Sequence, residues 1–168
     1  MEIVTVDSPR ASILHRRAKP VGRITDDLRR LIEQMILTMR EAKGVGLAAP
    51  QVGVGKRVFV VEVKQRIQVF IDPEVVKKEG AEVDVEGCLS IPGTVAELPR
   101  AHWVEVKAKN RKGRGVRLRA EGLLARVIQH EIDHLDGILI TDRADPSAIH
   151  TIPKEDSAEV TRSAIKSL

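Results

Sequence analysis

The stretch QHEIDH, residues 129–134, contains two histidines and a glutamate at a spacing that suits metal chemistry. His130 and His134 stand four residues apart, so on an α-helix both rings project from one face and can ligate one ion. Glu131 lies about 100° around the helix from His130, which places its carboxylate beside the ion rather than on it. This arrangement is typical of a general base next to a metal-activated water. A surface helix with ordinary charges is the alternative, because so short a pattern also occurs by chance.

A catalytic metal centre of this kind needs a third protein ligand. One class of metalloproteases supplies a third histidine through the pattern HExxHxxGxxH, but the corresponding position in this chain is Ile140. Another class uses a glutamate further downstream. Glu155 lies near that position, but in a polar segment interrupted by prolines, which is a poor place for a rigid ligand. The sequence therefore disfavours both protease classes.

Cys88 is the chain's single cysteine, which excludes an internal disulfide. It is either a small buried hydrophobic residue or a chemical group. In VEGCLSIPG it follows a strand-like run, a position from which a thiolate can face a helix packed on the sheet. A Cys-His-His ligand set would be softer than three histidines and would hold zinc or ferrous iron.

Two helices are predicted from apolar residues that repeat every three or four positions. The first follows Thr25, a good N-cap, and has its C-terminal stop at Gly44. The second runs from Glu121 to Leu135, carries QHEIDH and ends at Gly137. The segment up to Val21 is predicted to be extended with turns.

Strand-like runs occupy much of the chain between the two helices, at 57–63, 67–71, 81–85, 103–109 and 115–119. The last two are expected to form a hairpin, and the Gly-rich stretch 44–55 a loop. This order of elements predicts an α+β fold. Residues 1–168 are expected to form a single domain, with 144–168 as a mobile tail or a short C-terminal helix.

Charge and hydropathy limit the classes of protein. The net charge is +4, and the basic segment 107–119 lacks aromatic residues and contains two glycines, so we expect a solvated hairpin rather than a nucleic-acid surface. The N-terminus has no basic start followed by an apolar run, and no stretch has the length of a membrane span. The sequence therefore predicts a soluble, cytoplasmic protein.

Three stretches together resemble the motifs of the peptide deformylase family, in that family's order. They are GVGLAAPQ at 44–51, EGCLS at 86–90 and QHEIDH at 129–134, and the resemblance extends from VDSP near the start to LDGILITD at 135–142. It implies mostly antiparallel sheets packed around a central metal-binding HExxH helix, with an N-terminal helix. It also implies a hydrolase that removes the N-formyl group from the formylmethionine of newly made polypeptides and releases formate.

The resemblance also implies roles for individual residues. Cys88, His130 and His134 resemble the metal ligands, and Glu131 the general base and acid for a metal-bound water that attacks the formyl carbon. The side chain of Gln51 and the backbone N–H of Leu89 match the donors to the formyl oxygen. Residues expected to contact the peptide or its methionine side chain are Gly44, Val45, Gly46, Leu123 and Val127. For Leu123 and Val127, a plain core position is an equal alternative.

The cofactor implied by the resemblance is one divalent metal ion per chain, Fe²⁺ in the cell, with Zn²⁺, Ni²⁺ or Co²⁺ as alternatives in purified protein. Expected partners are N-formylmethionyl peptides, nascent chains and, weakly, the ribosome; a membrane or a specific nucleic acid is not expected, and the protein is expected to be a monomer. The tail IHTIPKEDSAEVTRSAIKSL has fewer basic and apolar residues than the long C-terminal helix of some bacterial family members, which disfavours ribosome docking through it.

Two other functions remain open from the residues alone. HEIDH by itself fits a zinc endoprotease, which would use a third ligand other than Cys88. A non-catalytic module is the second alternative, in which the basic segment 107–119 contacts ribosomal RNA and the metal is structural. A structural site would need a fourth side-chain ligand, and the sequence offers none near the motifs.

Overall fold

A computed structural model describes residues 1–156 and 159–160 of the chain. The α-helices are α1 (Asp26–Glu41), α2 (Gly122–Leu135) and α3 (Ile140–Arg143), and short 3-10 helices lie at Ala11–His15, Ala49–Val52 and Pro146–Ala148. The strands are β1 (Gly46–Ala48), β2 (Val58–Val63), β3 (Arg66–Glu79), β4 (Glu82–Gly87), β5 (Thr94–Arg100), β6 (Trp103–Lys109), β7 (Gly115–Glu121) and β8 (Ile149–Thr151). No helix among the described residues is long and apolar enough to cross a membrane.

The first helix begins where the sequence predicts. The Thr25 side chain accepts a hydrogen bond from the Leu28 N–H at 3.2 Å, which satisfies one of the free amides at the helix start. The predicted stop at Gly44 is wrong in detail, because α1 ends at Glu41 and Lys43, not Gly44, takes the left-handed conformation with φ 57°. The Gly44 N–H instead donates to Met39 O at 2.8 Å, which fixes the direction in which the next segment leaves.

The strands form two antiparallel sheets. The larger sheet has the order β1-β2-β3-β6-β7, and the smaller has the order β4-β5-β8. The predicted hairpin of β6 and β7 is confirmed, with Trp103 opposite Glu121 and Lys109 opposite Gly115. Two of its arginines lie in solvent beside acidic neighbours: Arg117 donates to Glu105 at 2.7 Å and Arg119 to Glu121 at 3.3 Å. The Arg119 guanidinium also lies 4.2 Å from the Trp103 ring centroid.

Three strand assignments differ from the sequence-based expectation. The segment 44–55, predicted as a loop, contains β1, which pairs with β2 through Leu47 opposite Val60. β5 is absent from the predicted strands; its Pro99 lies opposite Val83 of β4 but beyond the three residues that pair with β8, so at Pro99 β5 has a neighbouring strand on one side only. β3 continues to Glu79, because register shifts between its pairs with β6 let it bend instead of ending.

The C-terminal prediction is tested only in part. Within 144–156, Pro146–Ala148 forms a 3-10 helix and β8 pairs with β5, so Ala96 lies opposite Ile149. The remainder of the predicted tail or helix falls on 157–158 and 161–168, which lie outside the described residues. The expectation of a single domain over 1–168 stays a prediction.

At β1 and β2 the larger sheet buries both of its faces, so alternate side chains of β2 enter two different apolar clusters. Val58 and Val60 belong to the apolar cluster under α1, whereas Phe59 and Val61 belong to the cluster under α2. Phe59 stacks on Phe70 with ring centroids 4.7 Å apart. Helix α2 packs on β1, β2 and β7, and this packing fixes the position of its residues His130, Glu131 and His134 relative to the larger sheet.

Candidate metal centre and active site

Three segments bring the predicted chemical residues together. Helix α2 contributes His130, Glu131 and His134, and the turn directly after β4 contributes Cys88. The 3-10 helix after β1 contributes Gln51, which is buried. The structure therefore joins all three sequence motifs in one place, although they lie far apart in the chain.

The three predicted ligands form a compact donor cluster. Cys88 Sγ lies 3.3 Å from His134 Nε2, and the ligand atoms of Cys88, His130 and His134 all lie within 4.8 Å of one another. The two imidazole rings are 4.9 Å apart at an angle of 68°, so each directs a different edge at the common point. A thiolate and two imidazoles are donors that zinc and ferrous iron accept, so this set fits a divalent transition metal.

The electrostatics of His130 support the same conclusion. Its Nδ1 lies 2.8 Å from Glu86 Oε1, so the hydrogen bond orients the ring and leaves Nε2 for the donor cluster. Burial opposes charge on His130, but hydrogen bonding to Cys88 and Glu86 outweighs burial and raises its pKa. Cys88 and Glu86 thus favour a positive charge at His130, and a divalent cation bound beside this ring would supply such a charge.

His134 is the deepest of the three predicted ligands. Its side chain is 1% exposed, and burial together with the charge of His130 lowers its pKa, so the ring is neutral, the form that ligates a metal. Within residues 1–156 and 159–160, its Nδ1 has no hydrogen-bond partner. The ring is therefore held by packing and by its Nε2 contact with Cys88.

The Glu131 carboxylate is buried beside the donor cluster without belonging to it. Burial raises its pKa to about 7, and its Oε2 has no hydrogen-bond partner among the described residues. Its other oxygen packs directly against Gly46 of β1. A carboxyl with this pKa exchanges a proton near neutral pH, as a general base requires.

Gln51 has a fixed amide orientation. Its Oε1 accepts a hydrogen bond from the Ala48 N–H at 2.9 Å, and its Nε2 donates to Ser90 Oγ at 3.2 Å. Nε2 also lies 3.8 Å from Cys88 Sγ, so the amide N–H groups, not the carbonyl, face the cluster. This orientation suits donation to an oxygen placed beside Cys88.

A cavity of about 290 Å³ opens onto these groups. Every predicted site residue except His134 lines it, namely Gly44, Val45, Gly46, Gln51, Cys88, Leu89, Leu123, Val127, His130 and Glu131. Leu123 and Val127 are thus at the cavity wall, and both also pack against the apolar core under α2. Their positions are therefore compatible both with contact to a ligand in the cavity and with a core role. His134 lies behind the cavity wall, where its Nε2 contacts the Sγ of Cys88.

Several residues of the site were not assigned from the sequence. Glu86 belongs to the EGCLS stretch, yet its burial among His130, Arg100 and Arg126 has no local sequence signal. Ile3 also lines the cavity, because the N-terminal segment crosses the site by donating the Val4 N–H to Gln51 O. The place of Glu86 inside the EGCLS motif could have marked it as a candidate without indicating these partners, whereas Ile3 has no such signal.

Comparison with known proteins settles which family has this arrangement. The family model described as polypeptide deformylase matches residues 1–149. The chain belongs to the polypeptide deformylase family. A peptide deformylase of Pelotomaculum thermopropionicum is 49% identical over 144 residues, which cover 86% of this chain and 92% of that protein.

Solved structures agree with the family assignment. The peptide deformylase of Synechococcus elongatus, solved in complex with actinonin, superposes with a TM-score of 0.82 at 39% identity, covering 98% of this chain and 85% of that one. That of Thermotoga maritima gives a TM-score of 0.81 at 44% identity, covering 86% and 97%. The expected α+β deformylase fold and the enzyme class are confirmed, and the family is metal-dependent.

The close packing of Gly46 on α2 generates a prediction for this deformylase. A Cβ at Gly46 would lie 2.9 Å from Glu131 Cδ and 3.0 Å from Val127 Cγ1, so Gly46→Ala must displace the buried carboxylate. We expect kcat/KM for formyl-Met-Ala-Ser to fall by about tenfold or more, since small misplacements of reacting groups are costly. Gly55→Ala is the matched control, because a Cβ there meets nothing within 4 Å. Equal formate release by both variants would contradict the prediction.

Proposed function

We propose that the protein is a metal-dependent hydrolase that removes the N-formyl group from the formylmethionine of newly made polypeptides and releases formate. The observation that carries this proposal is the convergence of Cys88, His130 and His134 with Glu131 and Gln51 on one cavity. Membership of the deformylase family supports the same substrate and reaction. A formate-release assay with formyl-Met-Ala-Ser tests it directly.

Cys88, His130 and His134 would hold the metal in this proposal. When bound, the ion supplies Lewis acidity, which lowers the pKa of water and polarises the formyl oxygen. Glu86 keeps the His130 ring oriented through its 2.8 Å contact with Nδ1. The protein thus orients the His130 ring before the metal binds.

Glu131 is the residue that moves protons. With a pKa of about 7 it is ionised in a large fraction of molecules at neutral pH, so its carboxylate takes a proton from the attacking water. The same carboxyl then delivers that proton to the leaving amine of the methionine. Its burial keeps bulk water from competing for the proton.

Gln51 and Leu89 stabilise the charge that develops on the formyl oxygen. The Gln51 amide is fixed by Ala48 and Ser90, so its Nε2 donates without first reorienting. The backbone N–H of Leu89, directly after Cys88, is the second donor. In the same cavity, Gly44 and Gly46 accommodate the peptide backbone, and Val45, Leu123 and Val127 surround the methionine side chain.

Replacement of Glu131 separates chemistry from metal binding. We expect Glu131→Ala to lower kcat by about 10²- to 10⁴-fold, the usual contribution of a positioned acid-base group. Metal content should stay at the wild-type level, because Glu131 lies outside the ligand cluster. Glu33→Ala, on the exposed face of α1, is the control and should retain full activity. Loss of the metal in Glu131→Ala would argue that Glu131 is a ligand.

The proposed native metal is Fe²⁺. A thiolate beside two imidazoles binds iron, zinc, cobalt or nickel, so availability decides among them. The thiolate and ferrous iron are both sensitive to oxidants, so we expect activity to survive anaerobic purification and to decay in air. Metal analysis of both preparations should show loss of iron along with activity. Equal lifetimes with and without air would contradict this assignment, and a Zn²⁺-loaded sample serves as the stable control.

We further propose that residues 1–168 form one monomeric domain that acts on nascent chains in the cytoplasm and associates weakly with the ribosome. The net charge of +4 favours such an association, because a basic protein is attracted to a phosphate-rich surface. We expect co-sedimentation with ribosomes to weaken as salt rises, and light scattering to give the monomer mass. Association that is indifferent to salt would contradict the electrostatic part.

A further inference from the structure

A chain of buried ion pairs runs from His130 away from the active site. Glu86 contacts His130 Nδ1 at 2.8 Å and accepts two hydrogen bonds from Arg100, each 2.9 Å long. Arg100 Nη1 in turn donates to Asp133 Oδ2 at 2.6 Å. The side chains of Glu86, Arg100 and Asp133 are each at most 7% exposed. Charges so deeply buried hold their partners in fixed positions, because a lost contact leaves a buried charge unpaired.

Arg143 of α3 is the outer end of this chain. Its Nη2 donates to Asp133 Oδ1 at 2.6 Å, and its Nε contacts Asp133 Oδ2. The Arg143 side chain is 45% exposed and lines an open cleft that also reaches Arg100 and Asp133. The partly exposed Arg143 guanidinium therefore contacts both oxygens of the buried Asp133 carboxylate.

The bidentate contact fixes the plane of the Asp133 carboxylate. Without Arg143, that carboxylate would have Arg100 as its remaining guanidinium partner and would rotate toward it. Arg100 would then be drawn away from Glu86, whose contact orients the His130 ring. Arg126, which donates to Glu86 at 2.7 Å, keeps Glu86 paired, so the expected consequence is a shifted ring rather than a collapsed core.

We propose that Arg143 is a positioning residue for His130, acting through Asp133, Arg100 and Glu86. This inference rests on the proposed metal site, since it concerns how well one ligand is aimed. It extends that site to Arg143 on helix α3, and the Arg143 side chain lines a separate cleft.

The test uses the full-length protein loaded with Co²⁺. Arg143→Ala removes the contact, Arg143→Lys keeps the charge but loses the planar fork, and Arg117→Ala removes an exposed ion pair on the β6–β7 hairpin as a control. Three quantities are measured below the melting temperature: Co²⁺ affinity by chelator competition, the visible absorption spectrum, and kcat and KM for formyl-Met-Ala-Ser.

For Arg143→Ala we expect Co²⁺ affinity to fall about tenfold, at the lower end of the range for residues that support a ligand. We also expect an altered Co²⁺ spectrum and a lower kcat with KM unchanged. Arg143→Lys should lie between Arg143→Ala and wild type, and Arg117→Ala should match wild type. If Arg143→Ala does not fold, Arg143→Lys decides by the same three measurements.

A purely structural role would lower the melting temperature of Arg143→Ala and leave the Co²⁺ affinity and spectrum at wild-type values. That result would overturn the positioning role while leaving the proposed function intact. Failure of the wild-type protein to bind Co²⁺ would overturn the metal site and, with it, the role of Arg143.

Discussion

One buried carboxylate, that of Glu86, connects helix α2, which carries two of the predicted metal ligands, to the smaller sheet. It lies at the end of β4, two residues before Cys88, and contacts His130 on α2 as well as Arg100 on β5. Burial alone would raise the pKa of Glu86, but hydrogen bonds from His130 and Arg100 overcome burial and lower it, so the group stays ionised. A buried anion is stable only with its partners in place, and this requirement fixes where β4, β5 and α2 meet.

The same junction explains why the ligands come from two directions. Helix α2 can offer only residues on one face, and His130 and His134 use that face fully. The third donor must come from a segment whose position is set independently, and the pairing of β4 with β5 sets it for Cys88. The larger sheet contributes from the opposite side, where β1 places Gly46 against Glu131. The site is thus assembled from both sheets and the helix between them.

Local patterns were sufficient to predict much of this structure. Thr25 and the apolar spacing after it specify α1, and period-2 alternation specifies β6 and β7, because these signals act within a few residues. The ligand set followed from motifs that resemble a family. These motifs identify residues but carry no information about distances. The structure supplied the 4.8 Å limit on the donor cluster and the orientation of Gln51.

The features that the sequence did not predict depend on long-range contacts. β1 exists because the edge of β2 pairs with it, and β5 tolerates Pro99 because that residue faces no second strand among those described. Arg100, Asp133 and Arg143 form ion pairs across more than one element and have no periodic signal. Charged residues spread along a sequence usually indicate exposed surface, so their burial here becomes evident only from the fold.

The depth of His134 has a consequence for how an ion enters and leaves. His134, the deepest of the predicted ligands, lies behind the cavity wall, whereas Cys88 and His130 line the cavity itself, so a cation that enters through the cavity would meet these two donors first and His134 last. An ion held by these residues would leave through the same opening. A peptide that fills the cavity would close the same route, so occupation of the proposed substrate site would hinder the loss of an ion held behind it.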